Sequence, residues 1–171
     1  LFYDYLIESG VKEEQIISIA LDDDTFIKYR DPEELSKFIR AKIVSKDMYY
    51  ILIDEVQYAI AKEELKNPDS IRLYNVLNGL MRLRNVDIYV TGSNSKMLTK
   101  DVLTVFRGRG DEVRVYPISF KEYYAAIGGD KIDAYEEYAL YGGMPLVLSR
   151  KTDNDKMAYL QSLFTEVYFK D

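Results

Sequence analysis

Residues 49–55 read Tyr49-Tyr50-Ile51-Leu52-Ile53-Asp54-Glu55, an apolar run that ends in two adjacent carboxylates. Such a run predicts a strand buried on both faces, which is typical of parallel sheets. Open parallel sheets bind ligands beyond the carboxyl ends of their strands, and Asp54 and Glu55 fall at that end. One carboxylate could hold a Mg²⁺ ion while its neighbour orients a water molecule, as phosphoryl hydrolysis requires. An acidic turn that caps the following helix would leave the same pattern.

Three further segments have strand patterns. Residues 16–21 and 86–91 are short runs rich in β-branched side chains, and residues 112–116 alternate between polar and apolar before Pro117. Helical patterns separate these segments, and one of them begins at Asp31-Pro32 with an N-cap residue and a first-turn proline. Strands that alternate with helices predict an α/β fold with a parallel sheet.

The last third of the chain has helical patterns only. They begin at Ser119 and are interrupted by the pairs Gly128-Gly129 and Gly142-Gly143. The sequence therefore predicts two parts, an α/β core over residues 1–118 and a small helical subdomain over residues 119–171.

The composition restricts the chemistry that this chain can perform. It has 171 residues and a formal charge of −6, and it contains no Cys, His or Trp. Disulfides, thiolate nucleophiles, imidazole bases and His-ligated metals are therefore excluded. Carboxylates, cationic side chains, hydroxyls, amides and a hard cation such as Mg²⁺ remain, and this set suits phosphate chemistry.

The acidic balance and the short apolar runs bear on partners and location. A chain without a polycationic segment is not expected to bind nucleic acid strongly, so nucleic acid is expected only through domains outside this sequence. No apolar run is long enough to span a membrane and no signal peptide is visible. We therefore expect a cytoplasmic protein that has no membrane partner.

A second polar group follows the strand at residues 86–91. The sequence there reads Val90-Thr91-Gly92-Ser93-Asn94-Ser95. Small hydroxyl and amide groups at a strand end can hydrogen-bond a terminal phosphate or an attacking water without adding charge. A helix N-cap at Ser93 or Ser95 is compatible with that interpretation.

A third group is the glycine-flanked pair Arg107 and Arg109, within Phe106-Arg107-Gly108-Arg109-Gly110-Asp111. Arginines on flexible glycines can reach outward to neutralise charge in a phosphoryl-transfer transition state. A solvated basic loop is the other interpretation. The run Asp22-Asp23-Asp24 is interpreted as a solvated loop, because it lacks the spaced oxygen ligands and the glycine of a calcium loop.

The order of these segments resembles the nucleoside-triphosphatase domain of the AAA+-like ATPases of many bacteria and archaea. Proteins of that family often carry a C-terminal domain of uncharacterised or nuclease-like type. The matching segments are a Walker B motif at residues 51–57, a sensor-1 strand at 90–95, Gly108-Arg109, residues 116–123 and a lid segment at 141–145. The resemblance implies an α/β P-loop NTPase sheet flanked by helices, followed by a small C-terminal helical lid.

The resemblance also implies roles for individual residues. Asp54 would coordinate Mg²⁺ and Glu55 would be the catalytic base. Ser93 or Asn94 would be the sensor-1 group, and Arg109, with Arg107 as the substitute, would be the arginine finger. Gly143 and Pro145 would mark the lid as cofactor-binding positions. The cofactors implied are ATP and Mg²⁺, acting in the intact parent protein.

One departure from the family pattern is that the chain contains no Gly-Lys-Ser or Gly-Lys-Thr, the end of a Walker A phosphate-binding loop. Residues 1–9 resemble the end of the helix that follows this loop. We therefore expect a fragment that lacks its first strand and binds ATP poorly or not at all. A sheet without that strand would have exposed edges, so self-association through sheet edges is expected.

Two other function classes stay open at this point. One is a nucleotide-switch or scaffold module in which hydrolysis contributes little. The other is a nuclease or phosphatase in which Asp22, Asp23 and Asp24 join Asp54 and Glu55 in a two-metal cluster.

Overall fold

The computed structural model describes residues 2–67, 70–92 and 110–169. They form two compact units, Leu1–Asp111 and Glu112–Asp171. The first unit is an α/β layer built on a parallel sheet, and the second is helical.

The sheet of the first unit has three parallel strands in the order β1-β2-β3. They are β1 (Ile16–Ala20), β2 (Tyr49–Asp54) and β3 (Val86–Val90). The register aligns Ile19 with Ile53 and Ile53 with Val90, so the carboxyl ends of all three strands lie at one edge. The predicted α/β class and parallel sheet are confirmed.

Three α-helices connect and cover these strands: α1 (Phe2–Glu8), α2 (Pro32–Lys42) and α3 (Arg72–Leu80). Short 3₁₀ turns occupy Glu13–Gln15, Asp24–Arg30, Val56–Ala59 and Glu64–Lys66. The predicted start of α2 is confirmed, because the Asp31 side chain accepts hydrogen bonds from the amides of Glu33 and Glu34 at 3.0 and 3.1 Å. These contacts satisfy two backbone donors that the helix itself leaves unpaired.

The core lies where α2 and α3 pack together with one face of the sheet. The fully buried side chains there are Ile19, Leu21, Leu35, Ile39, Ile51, Leu73 and Leu80. Burial alternates along β2, so Tyr49, Ile51 and Ile53 are buried while Tyr50 and Leu52 are half-buried. The prediction that β2 is buried on both faces is therefore wrong for its second face. Tyr50 and Leu52 can remain partly exposed to solvent, because apolar atoms form much of any protein surface.

The predicted strand at residues 112–116 is wrong: this segment is irregular. Its apolar side chains are mostly exposed, at 83% for Val113, 91% for Val115 and 71% for Tyr116. A strand is stabilised by hydrogen bonds to a neighbouring strand, and the described residues supply no such neighbour to this segment.

The second unit contains α4 (Phe120–Ile127), α5 (Lys131–Tyr141) and α6 (Asp153–Phe169), with a 3₁₀ turn at Pro145–Ser149. Helix α4 begins at a capping box in which Ser119 accepts from the Glu122 amide, while the Glu122 carboxylate accepts from the Ser119 amide at 2.7 Å. Tyr123, Ala134 and Tyr141 are the buried side chains of the two shorter helices. Across the described residues of both units, no helix is both long enough and apolar enough to cross a bilayer.

Candidate functional site

The carboxyl edge of the sheet brings the segments after β2 and β3 side by side. Thr91 follows β3 directly, and its amide donates to the Ile53 carbonyl at 2.9 Å. The Val56 amide in turn donates to the Thr91 carbonyl at 3.0 Å. These two bonds continue the ladder past the strand ends, so Thr91 is fixed beside Asp54 and Glu55.

Asp54 is held through one of its two carboxylate oxygens. Its Oδ1 accepts a hydrogen bond from the Thr91 hydroxyl and another from the Glu55 amide at 3.1 Å. The Asp54 carbonyl also accepts from the Leu21 amide, at 3.1 Å, which ties it to the segment after β1. The Asp54 side chain is exposed. An exposed and oriented carboxylate of this kind is a suitable ligand for a hard cation such as Mg²⁺.

Glu55 has a left-handed backbone, with φ 54° and ψ 50°. Among the described residues it is the one non-glycine residue with positive φ. That conformation costs about 1–2 kcal/mol for a residue with a Cβ. It turns the chain sharply from β2 into the 3₁₀ turn Val56–Ala59, whose Val56 and Ala59 side chains are buried in the core. The half-buried Glu55 side chain is therefore placed at the sheet edge by a strained but well-anchored turn.

Gln57 contacts Glu55 directly, because its Nε2 donates a hydrogen bond to Glu55 Oε2. The sequence analysis gave Gln57 no role, nor Thr91 one toward Asp54. The Thr91 contact follows from the strand register, since the residue after Val90 lies opposite the residue after Ile53. The Gln57 contact depends on the left-handed turn at Glu55, which no sequence pattern indicates.

The acidic loop after β1 is organised as a turn. Asp23 Oδ1 accepts from the Thr25 amide at 2.8 Å and from the Thr25 hydroxyl at 2.7 Å. The hydrogen bond from the Thr25 hydroxyl is the main reason that the pKa of Asp23 is lowered. Arg30 donates to the carbonyls of Leu21 and Asp22, at 2.7 and 3.0 Å. These contacts agree with the interpretation of this run as a loop.

The described residues also bear on the two-metal alternative. Nowhere in residues 2–67, 70–92 and 110–169 do three or more Asp or Glu side chains form a group able to hold a metal ion. Asp22, Asp23 and Asp24 therefore do not form a cluster with Asp54 and Glu55 in the structure.

The remaining predicted site residues divide into two groups. Ser93, Asn94, Arg107 and Arg109 lie outside the described residues. Gly143 and Pro145 lie in the second unit, where Pro145 begins the 3₁₀ turn. The Gly143 carbonyl accepts from the Ile118 amide at 2.8 Å, and a Cβ on Gly143 would lie 2.2 Å from the Ile118 carbonyl oxygen. Gly143 thus has a structural role, while the nucleotide-lid role of both residues stays a prediction.

Comparison with known proteins gives the family context. A family model described as an AAA domain matches residues 1–124. An uncharacterised protein of Haemophilus influenzae is 29% identical over 176 residues, which cover 99% of this chain and 41% of that protein. An uncharacterised protein of Methanocaldococcus jannaschii is 24% identical over 182 residues, covering 99% of this chain and 36% of that protein. The chain thus spans well under half the length of these relatives. No solved structure matches it.

Proposed function

Because this chain belongs to the AAA domain family, we propose that it is part of a Mg²⁺-dependent ATPase in which Asp54 and Glu55 carry the phosphate chemistry. The family as a class binds nucleotides, and the hydrolysis step is our proposal for this chain. One observation carries the proposal: two adjacent carboxylates lie at the carboxyl end of the central strand, and the hydroxyl of the neighbouring strand's Thr91 orients the first of them. Nucleotide-binding parallel sheets have their ligand crevices at this edge.

The two carboxylates take different parts in this proposal. Asp54 would hold Mg²⁺, because it is exposed and its side-chain contacts with the described residues Glu55 and Thr91 use Oδ1. The bound cation would neutralise charge on the phosphates. Glu55 would accept a proton from the attacking water at its carboxylate, with Thr91 keeping Asp54 in place. An oxygen-only ligand set suits Mg²⁺ and the composition, which lacks both Cys and His.

The other roles rest on the resemblance of the sequence to this family. Ser93 or Asn94 would sense the terminal phosphate, and Arg109, or Arg107 in its place, would act as the arginine finger. Gly143 and Pro145 would belong to a lid over the nucleotide. In a multi-subunit assembly an arginine finger can act on the neighbouring subunit's nucleotide.

A phosphate-binding loop from outside this sequence completes the proposed site. The sequence holds no Gly-Lys-Ser or Gly-Lys-Thr. Within the described residues β3 pairs on one side, with β2, and its Asp87 and Tyr89 are exposed. We propose that a further strand carrying the loop pairs with the other edge of β3. The isolated 171-residue chain would then bind ATP weakly, and calorimetry with this chain and MgATP tests that expectation.

Hydrolysis by the full-length protein is the direct test of the proposed function. The wild-type protein should release phosphate from ATP when Mg²⁺ is present, and Glu55→Gln should reduce turnover to a small residual rate while ATP binding persists. Undiminished turnover in Glu55→Gln would contradict the proposed base. A wild type that binds ATP without hydrolysing it would favour the nucleotide-switch or scaffold alternative.

Self-association and a cytoplasmic location belong to the same proposal. An unpaired strand edge can pair with the edge of a second copy, so we expect the 171-residue chain to form dimers through β3. A monomeric mass at high concentration in analytical ultracentrifugation would contradict this. The location rests on the sequence patterns alone.

A further inference from the structure

Gln57 lies two residues beyond the proposed catalytic base and contacts it. Its side-chain nitrogen Nε2 donates to Glu55 Oε2, and both side chains are half-buried. An ionised carboxylate only accepts hydrogen bonds, so the amide nitrogen is the end of Gln57 that belongs against it. The contact is therefore chemically matched: a neutral donor meets a charged acceptor.

The backbone around this contact is firmly held. The Tyr58 amide donates to the Glu55 carbonyl at 3.1 Å, and the Ile60 amide donates to the Gln57 carbonyl at 3.2 Å. Val56 and Ala59 are buried at 4% and 3% exposure, which anchors the turn to the core. Gln57 thus extends its amide toward Glu55 from a fixed backbone.

A glutamate at the rim of a sheet needs such a restraint if it is to act as a base. The Glu side chain has three rotatable bonds, and fixing a long side chain costs conformational entropy. A general base must lie within hydrogen-bond reach of the proton that it removes. A partner that fixes the carboxylate beforehand removes part of that cost from the reaction step.

We propose that Gln57 is the positioning residue for Glu55 and orients its carboxylate for catalysis. This inference rests on the proposed function, in which Glu55 is the general base. Gln57 acts through Glu55 and does not bind the nucleotide itself. Its loss should therefore lower kcat and leave nucleotide affinity and KM unchanged.

The test uses the full-length protein and two substitutions of similar size. Gln57→Met removes the donor and keeps an unbranched side chain, while Gln57→Glu keeps the shape and replaces the donor with a second carboxylate. Each should reduce kcat for MgATP hydrolysis about tenfold, with KM changed less than about twofold. Thermal unfolding checks that each variant is folded, so a variant that fails to fold leaves the other to decide.

Gln15 provides a matched control at the opposite end of the sheet. Its Nε2 donates to the Met48 carbonyl at 2.9 Å, just before β2 begins. Gln15→Met removes a glutamine donor of the same chemistry without touching Glu55. It should leave kcat and KM at the wild-type values. An equal loss of kcat in Gln15→Met would show a general structural effect and overturn the inference.

A double-substitution cycle shows whether Gln57 acts through Glu55. In the Glu55→Gln background, adding Gln57→Met should not lower the residual rate further, because residues that act as a unit are non-additive. A further tenfold loss in that background would overturn the inference, and so would an unchanged or increased kcat in Gln57→Met alone. An inactive wild type would overturn the proposed function and this inference together, whereas an active wild type with unimpaired Gln57→Met would overturn this inference alone.

Discussion

The Thr91 hydroxyl donates a hydrogen bond to Asp54 Oδ1, across the junction between the ends of two neighbouring parallel strands. The strand register makes this contact possible, since Ile53 pairs with Val90 and the next residues of the two strands are adjacent. The orientation of the proposed metal ligand therefore depends on a strand other than its own.

Removing that hydroxyl should affect metal binding more than folding. Thr91→Val keeps the shape of the side chain and removes its hydroxyl. Asp54 Oδ1 then loses the donor from Thr91 and keeps the hydrogen bond from the Glu55 amide. We expect weaker Mg²⁺-dependent nucleotide binding by the full-length protein, with a folding cost of about 1 kcal/mol. Calorimetry at several Mg²⁺ concentrations measures the first effect. Thr91→Ser retains the hydroxyl and should behave like the wild type; equal losses in the Val and Ser variants would contradict the role of the hydroxyl.

The left-handed backbone at Glu55 should lower the stability of the fold, because a residue with a Cβ is strained there. Glu55→Gly and Glu55→Ala both remove the carboxylate, and they differ in the Cβ that is strained at φ 54°. The Gly variant should be more stable than the Ala variant by about 1 kcal/mol, because glycine adopts positive φ without a Cβ penalty. Urea unfolding of the two variants measures this difference. Equal stability would indicate that the turn relaxes in the absence of the Glu55 side chain.

Gly143 should not tolerate a methyl group. In Gly143→Ala the Cβ would lie 2.2 Å from the Ile118 carbonyl oxygen, so the hydrogen bond from the Ile118 amide to the Gly143 carbonyl would have to lengthen or break. We expect a loss of about 1–3 kcal/mol in the stability of the second unit, as for other over-packed sites. Gly110→Ala is the control, because no atom of the described residues lies within 4 Å of a Cβ at that position. Comparable stability of both variants in thermal unfolding would argue against the close approach.

Acid should weaken the contribution of Glu34 over a defined pH interval. Hydrogen bonds from Lys37 and Lys28 lower the pKa of Glu34 from 4.5 to about 2. In the unfolded chain Glu34 takes up a proton near its ordinary pKa of 4.5, whereas in the folded chain it stays ionised to lower pH. The contribution of Glu34 to folding stability is therefore full above about pH 4.5 and disappears as the pH falls through about 2. The stability difference between wild type and Glu34→Gln should shrink between these limits. Urea unfolding at several pH values measures it, and added salt should reduce it because the Lys28 and Lys37 side chains are largely solvent-accessible.

The three strands of the sheet and the start of α2 could be predicted from the sequence. The apolar run at residues 49–53 predicts a strand, and β2 spans Tyr49–Asp54. The prediction succeeds because an unbroken apolar run is stabilised by burial, and the sheet of an α/β domain provides that burial. Asp31-Pro32 predicted the start of α2 equally well, since capping is a local interaction. Both features depend on residues close together in the chain.

Features that depend on distant partners could not be predicted in this way. The alternation of polar and apolar residues at 112–116 indicates a segment with two different faces. A stable strand also needs a second strand to pair with, and the alternation carries no information about such a partner. The contact of Gln57 with Glu55 requires positive φ at a glutamate, a conformation that its side chain disfavours. The sequence patterns thus indicate the segments that contain Asp54, Glu55, Gln57 and Thr91, but they do not indicate the contacts of Gln57 with Glu55 or of Thr91 with Asp54.

Arg30 links the loop after β1 to the turn after β2 at the carboxyl edge of the sheet. Its guanidinium group holds the carbonyls of Leu21 and Asp22 and lies 4.8 Å from the centre of the Tyr58 ring, one residue beyond Gln57. One cationic side chain, Arg30, therefore contacts both the loop after β1 and the turn after β2. A displacement of the turn that carries Glu55 away from the acidic loop would therefore have to break the contact of Arg30 with Tyr58.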